Sequence, residues 1–103
     1  MNVGREQVVL LGGFRKSKKL YEEVIESFGY KPKVFIRNVP GLSSVVGHPR
    51  AIIVFQNNVS HVMAKVAKAV SKKNRVNIFY ADNSINSLKK TLRRISNDRN
   101  KNI

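Results

Sequence analysis

Apolar residues along this chain fall into short unbroken runs that alternate with stretches of helical spacing. Residues 7–13 read QVVLLGG: Val8 to Leu11 are apolar without interruption, and two glycines stop the run. A run with no alternation suits a strand covered on both faces. Across residues 17–28, Leu20, Tyr21, Val24, Ile25 and Phe28 keep helical spacing, with Glu22, Glu23 and Glu26 outside, and Gly29 is the natural stop. Residues 33–36 (KVFI) predict a second, short strand. Residues 37–50 carry Pro40, Gly41, Gly47 and Pro49 and read mostly as loop, with a helical turn at most over Leu42–Val46. Ala51–Phe55 (AIIVF) is the clearest strand. Residues 59–73 predict a helix with Val62, Val66, Ala69 and Val70 on one face, and residues 76–80 a fourth strand. Ser84 or Asn83 then caps a last helix whose apolar face is Ile85, Leu88, Leu92 and Ile95.

Strands that alternate with helices argue a parallel sheet with helices on both faces. The expected fold is α/β: a small, Rossmann-like, three-layer domain with a four-stranded parallel sheet, order 2-1-3-4, and three helices. One domain spans residues 1–103, with flexible ends at 1–6 and 97–103, the latter because NDRNKNI is polar. Val9, Leu10, Ile52, Val54, Ile78 and Phe79 are the expected sheet core.

Charge changes the picture. Twenty Lys and Arg face six Asp and Glu, giving +14 at pH 7. Solubility needs a net charge of only about 2–8, and a field of this sign attracts polyanions. The apolar fraction of 42 % is that of an ordinary globular chain, not a basic tail. With no cysteine there is no disulfide or thiolate chemistry. The opening MNVGREQ lacks the apolar core of a signal peptide, and no apolar run is long enough to span a membrane. A cytoplasmic location is expected.

In a parallel sheet, ligands bind beyond the carboxyl ends of the strands, where strand order reverses. Three loops converge there in the predicted topology. The first holds Gly12, Gly13, Phe14, Arg15, Lys16, Ser17, Lys18 and Lys19. The second holds Gln56, Asn57, Asn58, Val59, Ser60 and His61, and the third Ala81, Asp82, Asn83 and Ser84. Glycines let backbone N–H groups approach an anion, and the basic residues add charge. Asn57, Asn58 and Asn83 have the amides to read a base or ribose, though Asn, Ser and Asp also cap helices and build turns. Ser60 and Ser84 are expected caps in either case. The GGFRKSKK segment has neither P-loop spacing nor the dinucleotide fingerprint, so no cofactor is expected. Among the carboxylates only Asp82 lies at a predicted strand end, and Ser60 and His61 are merely adjacent. No catalytic constellation and no metal site follow.

Two helices carry a second signal. Lys89, Lys90, Arg93 and Arg94 fall opposite the apolar face of the last helix, and Lys65, Lys68 and Lys72 make a stripe on the one before. Charge runs on helices are usually solvated faces. Here almost no acid intersperses them, which favours phosphate-backbone contact. Phe14, Tyr30 and Tyr80 are candidates for base stacking, with core packing favoured for Tyr80.

The segments VVLLGG, AIIVFQNNVSHVMAKVAKAVSKKN and IFYADNSINSLKKTL resemble the bacterial domain-of-unknown-function family numbered 2325 over roughly residues 8–95. The Ser60-His61 step after Asn57-Asn58 is the most specific part of the likeness. The resemblance implies a Rossmann-like domain and no particular activity.

The leading expectation is a sequence-tolerant binder of DNA or RNA. The alternative is a sensor or sequestering protein for a small nucleotide held by the three loops. An enzyme and a membrane partner are disfavoured, and a homodimer stays open because a sheet this small gains by pairing.

Overall fold

The computed structural model describes residues 5–100. Four strands, β1 (Gln7–Leu11), β2 (Lys31–Phe35), β3 (Ala51–Phe55) and β4 (Ile78–Ala81), form one sheet. Every pairing is parallel and the order is β2-β1-β3-β4, as the alternation predicts. The helices are α1 (Lys18–Ser27), α2 (Leu42–Val46), α3 (His61–Asn74) and α4 (Ile85–Asn100), and a 3-10 turn over Arg15–Ser17 leads into α1.

The unbroken apolar runs have the expected cause. Val8, Leu10, Ile53 and Phe55 point to one side, into a core with Tyr21, Val24 and Ile25 of α1 and Leu88, Leu92 and Ile95 of α4. Val9, Leu11, Ile52 and Val54 point to the other, against Leu42 and Val46 of α2 and Met63, Ala67 and Val70 of α3. Each such side chain, fully buried, stabilises the fold by about 1.5–3 kcal/mol before entropy is counted. Ile78 and Phe79 are only half-buried, because β4 is an edge strand of the sheet among the described residues.

Four local expectations are corrected. Residues 42–46 form a short helix, not just a turn: Leu42 and Val46, four apart, both bury in the second core. The inward face of α3 is Met63, Ala67 and Val70, while Val62 is 53 % exposed and Ala69 is exposed. In α1, Leu20 is 46 % exposed, because Tyr21, Val24 and Ile25 already fill the space over the sheet. Tyr30 is buried, its hydroxyl 2.9 Å from Ser96 Oγ, whereas Tyr80 is 43 % exposed on the edge strand.

α4 runs to Asn100, past the polar end placed at residue 97. Side-chain bonds hold its last turns: Tyr30 with Ser96, Arg50 Nη2 donating to Ile95 O at 2.8 Å, and Asn77 Nδ2 donating to Asp98 Oδ2 at 3.0 Å. Residues 1–4 and 101–103 of the expected flexible ends lie outside the described residues. Among the described residues no helix is long and apolar enough to cross a membrane.

Candidate functional site

Parallel strands bring the three loops to one edge of the sheet, and hydrogen bonds join them there. Gly12 N donates to Phe35 O at 2.9 Å, which ties the first loop to the end of β2. Gly13 N donates to Asn58 O at 3.0 Å, which ties it to the second. The Asn83 amide donates to the Asn58 side-chain oxygen, and Gln56 N donates to Ala81 O at 3.1 Å, which bring in the third. Asn58 is therefore the hub of the edge.

The glycines serve this packing. Both have positive φ, +102° and +96°. A Cβ on Gly12 would sit 2.5 Å from Asn58 O, and one on Gly13 would sit 2.7 Å from Tyr21 Cε2. Phe14 N donates to the Tyr21 hydroxyl at 3.0 Å, and the Tyr21 ring meets Phe55 edge-on with centroids 5.2 Å apart. Three successive N–H groups, those of Gly12, Gly13 and Phe14, are thus spent inside the protein. The expected anion cradle of glycine N–H groups is closed, because the loop needs those donors to join the strands.

Ser60 Oγ accepts from Met63 N at 3.1 Å, and Ser84 Oγ accepts from Ser87 N at 3.1 Å, so both serines cap their helices. The Ser87 hydroxyl in turn accepts from Asp82 N at 3.0 Å. Asn57, Ser60, His61, Asp82 and Ser84 are exposed, and Asn58 and Asn83 are half-buried. These residues form an open rim. Phe14, 47 % exposed, stands beside them at the end of β1.

The cations divide into groups. Arg15, Lys16, Lys18 and Lys19 are exposed at the start of α1, at the same edge as the rim. Lys19 borders a recess with Glu22, Glu23, Glu26 and Lys31, so carboxylates share its surroundings. On α4, Lys90, Arg93 and Arg94 are exposed, Lys89 is half-buried, and the Arg94 guanidinium lies 5.7 Å from the Phe79 ring centroid. Lys65, Lys68 and Lys72 are exposed on α3, on the opposite face of the sheet from α4. The fold therefore does not merge these groups into one patch. None of these cations forms an ion pair among the described residues; Arg50 Nε does, 3.9 Å from Glu6 Oε1.

One functional candidate is visible only in the fold. Arg37 follows the carboxyl end of β2 and, with Arg15 and Lys18, borders a cleft of ≈ 220 Å³ with Phe35, Ile36 and Val39. The rule that places ligands at strand ends covers this position too. The sequence does not single it out, because β2 lies outside the point where strand order reverses.

A four-stranded parallel sheet in the order 2-1-3-4, with linked loops at its carboxyl edge, defines a small Rossmann-like α/β domain. The chain belongs to the bacterial family described as "Uncharacterized protein conserved in bacteria (DUF2325)", whose model matches residues 7–95. Comparisons with curated proteins and with solved structures give no match.

Proposed function

We propose that this protein binds nucleic acid, chiefly through the phosphate backbone, and acts in the cytoplasm as a binding protein rather than an enzyme. The observation that carries the proposal is the set of exposed cations on α3 and α4, which have no ion-pair partner among the described residues. α3 contains no Asp or Glu, and the first acid on α4 is Asp98. Such a surface repels itself, and a polyanion relieves the repulsion while releasing condensed counterions. Exposed Phe14 and Tyr80 supply aromatic faces on which unpaired bases stack.

The proposal separates the roles of two residue sets. Replacing Lys65, Lys68 and Lys72 with alanine, or Lys90 and Arg93, should weaken DNA and RNA of every sequence alike. Replacing Asn57 or His61 on the rim should alter preference among bases with little general loss. Fluorescence anisotropy with labelled DNA and RNA of several sequences measures both. Absence of binding by the unmodified protein at ~50 mM salt would remove the proposal, since backbone-directed binding is strongest at low salt.

A further inference from the structure

We propose that the cleft between the start of α1 and the end of β2 binds a nucleoside phosphomonoester. Arg15, Lys18 and Arg37 hold the phosphate, and the nucleoside rests on Phe35, Ile36 and Val39. The inference rests on the nucleic-acid reading only for one source of the ligand, a strand end; a free mononucleotide is the other.

The lining carries the argument. Three cations from two separate segments border one recess, and no carboxylate lines it. Arg15, Lys18 and Arg37 are exposed and have no ion pair among the described residues. Like charges gathered without a counter-charge are stabilised by a bound anion. A phosphomonoester carries a charge of about −1.5 to −2 near neutral pH, more than a backbone diester or a carboxylate. The two guanidinium groups add planar forks that match phosphate oxygens.

The floor selects what the phosphate is attached to. Phe35, Ile36 and Val39 are half-buried: Ile36 packs on the first core, Phe35 and Val39 on the second. The end of β2 thus offers apolar surface on both of its sides, each fixed to a core, and that surface suits a nucleoside better than a bare anion or a polyol phosphate. At ≈ 220 Å³ the cleft is smaller than the ~300–1,000 Å³ of pockets for drug-sized ligands, so it takes the phosphate and part of one nucleoside and leaves no room for a second nucleotide. The donors differ from the glycine N–H groups of the first loop, which are already bonded to Phe35 O and Asn58 O.

The test compares a short oligonucleotide bearing a 5′-phosphate with the same sequence bearing a 5′-hydroxyl, alongside titrations of adenosine monophosphate and inorganic phosphate. The variants are Arg37→Ala and, as a control away from the cleft, Lys65→Ala/Lys68→Ala. Unchanged thermal melting confirms that Arg37→Ala is folded. The phosphorylated strand should bind at least about tenfold tighter than its hydroxyl counterpart. Arg37→Ala should abolish that preference, while the control weakens both strands and keeps it. Adenosine monophosphate should bind the unmodified protein more tightly than inorganic phosphate does.

Equal affinity for the two strands, with no binding of adenosine monophosphate, overturns the cleft and leaves the nucleic-acid reading standing. A preference that survives Arg37→Ala overturns it as well, and equal binding of inorganic phosphate overturns the role of the floor. If neither strand binds but adenosine monophosphate binds and loses affinity in Arg37→Ala, the cleft stands with a free nucleotide as its ligand and the nucleic-acid reading falls. No binding of either strand or of the nucleotide overturns both.

Discussion

A methyl group added at Gly13 would lie 2.7 Å from Tyr21 Cε2 and 2.9 Å from Phe55 Cδ2, at a φ of +96°. At Gly29, with φ +88°, the same methyl would meet nothing within 4 Å. The two positions share the backbone cost of a left-handed residue and differ only in crowding. Gly29→Ala should cost about 1–2 kcal/mol, and Gly13→Ala about 2–5 kcal/mol, because overpacking adds to strain. Urea denaturation of the two variants measures the difference. Equal costs would mean that Gly13 is kept for something other than its fit against Tyr21 and Phe55. Phe14, next along the chain, is exposed while its N–H is fixed by the Tyr21 hydroxyl. If bases stack on this ring, Phe14→Ala should lose about 1–3 kcal/mol of single-strand affinity and little for duplex. An equal loss on both would assign Phe14 to loop shape instead.

At the scale of elements, α3 has its buried side on Met63, Ala67 and Val70. Met63→Ala should therefore cost about 2–5 kcal/mol, whereas the exposed Val62→Ala should stay within about 0.5 kcal/mol. Thermal or urea unfolding checks both. Strand positions were legible in the sequence because both faces of the sheet are covered, so the apolar run alone marks each central strand. The phase of α3 was not legible. Its stretch VMAKVAKAV places apolar residues around most of the helix, and alanine and valine at adjacent positions leave the inward direction undecided. α2 is too short to show a period. On α4 the outward cations were legible from spacing, but Arg94 has a second role beside Phe79. Lys90→Ala and Arg93→Ala should leave stability nearly unchanged, and Arg94→Ala should lower it by about 0.5–1 kcal/mol. Melting curves separate the three.

For the molecule as a whole, the candidate site was legible as a place and less so as a mechanism. Strand order alone puts Gly13, Asn58, Asp82 and His61 at one edge. That the glycine N–H groups are internally bonded depends on the length of each turn and the reach of Asn58, which sequence spacing does not encode. Arg37 is a candidate because the fold sets the end of β2 beside the start of α1, a neighbourhood that sequence spacing does not show. The cations, in contrast, were legible as a total and as stripes, and the structure distributes them over both faces of the sheet. Under the proposed nucleic-acid reading, the backbone would be contacted from more than one side or on one face at a time.

The affinity for single-stranded and duplex DNA, measured across a range of salt concentrations, tests the central proposal most directly. Six phosphate contacts would give a slope of log affinity against log salt of about −4 to −5, the steeper value for duplex. Alanine at Lys90 and Arg93 should make that slope shallower by about 1 or more for duplex, because each lost phosphate contact removes roughly 0.9 released counterion. A slope near zero, or a slope unmoved by loss of these side chains, would contradict a backbone-directed interaction carried by the helix cations.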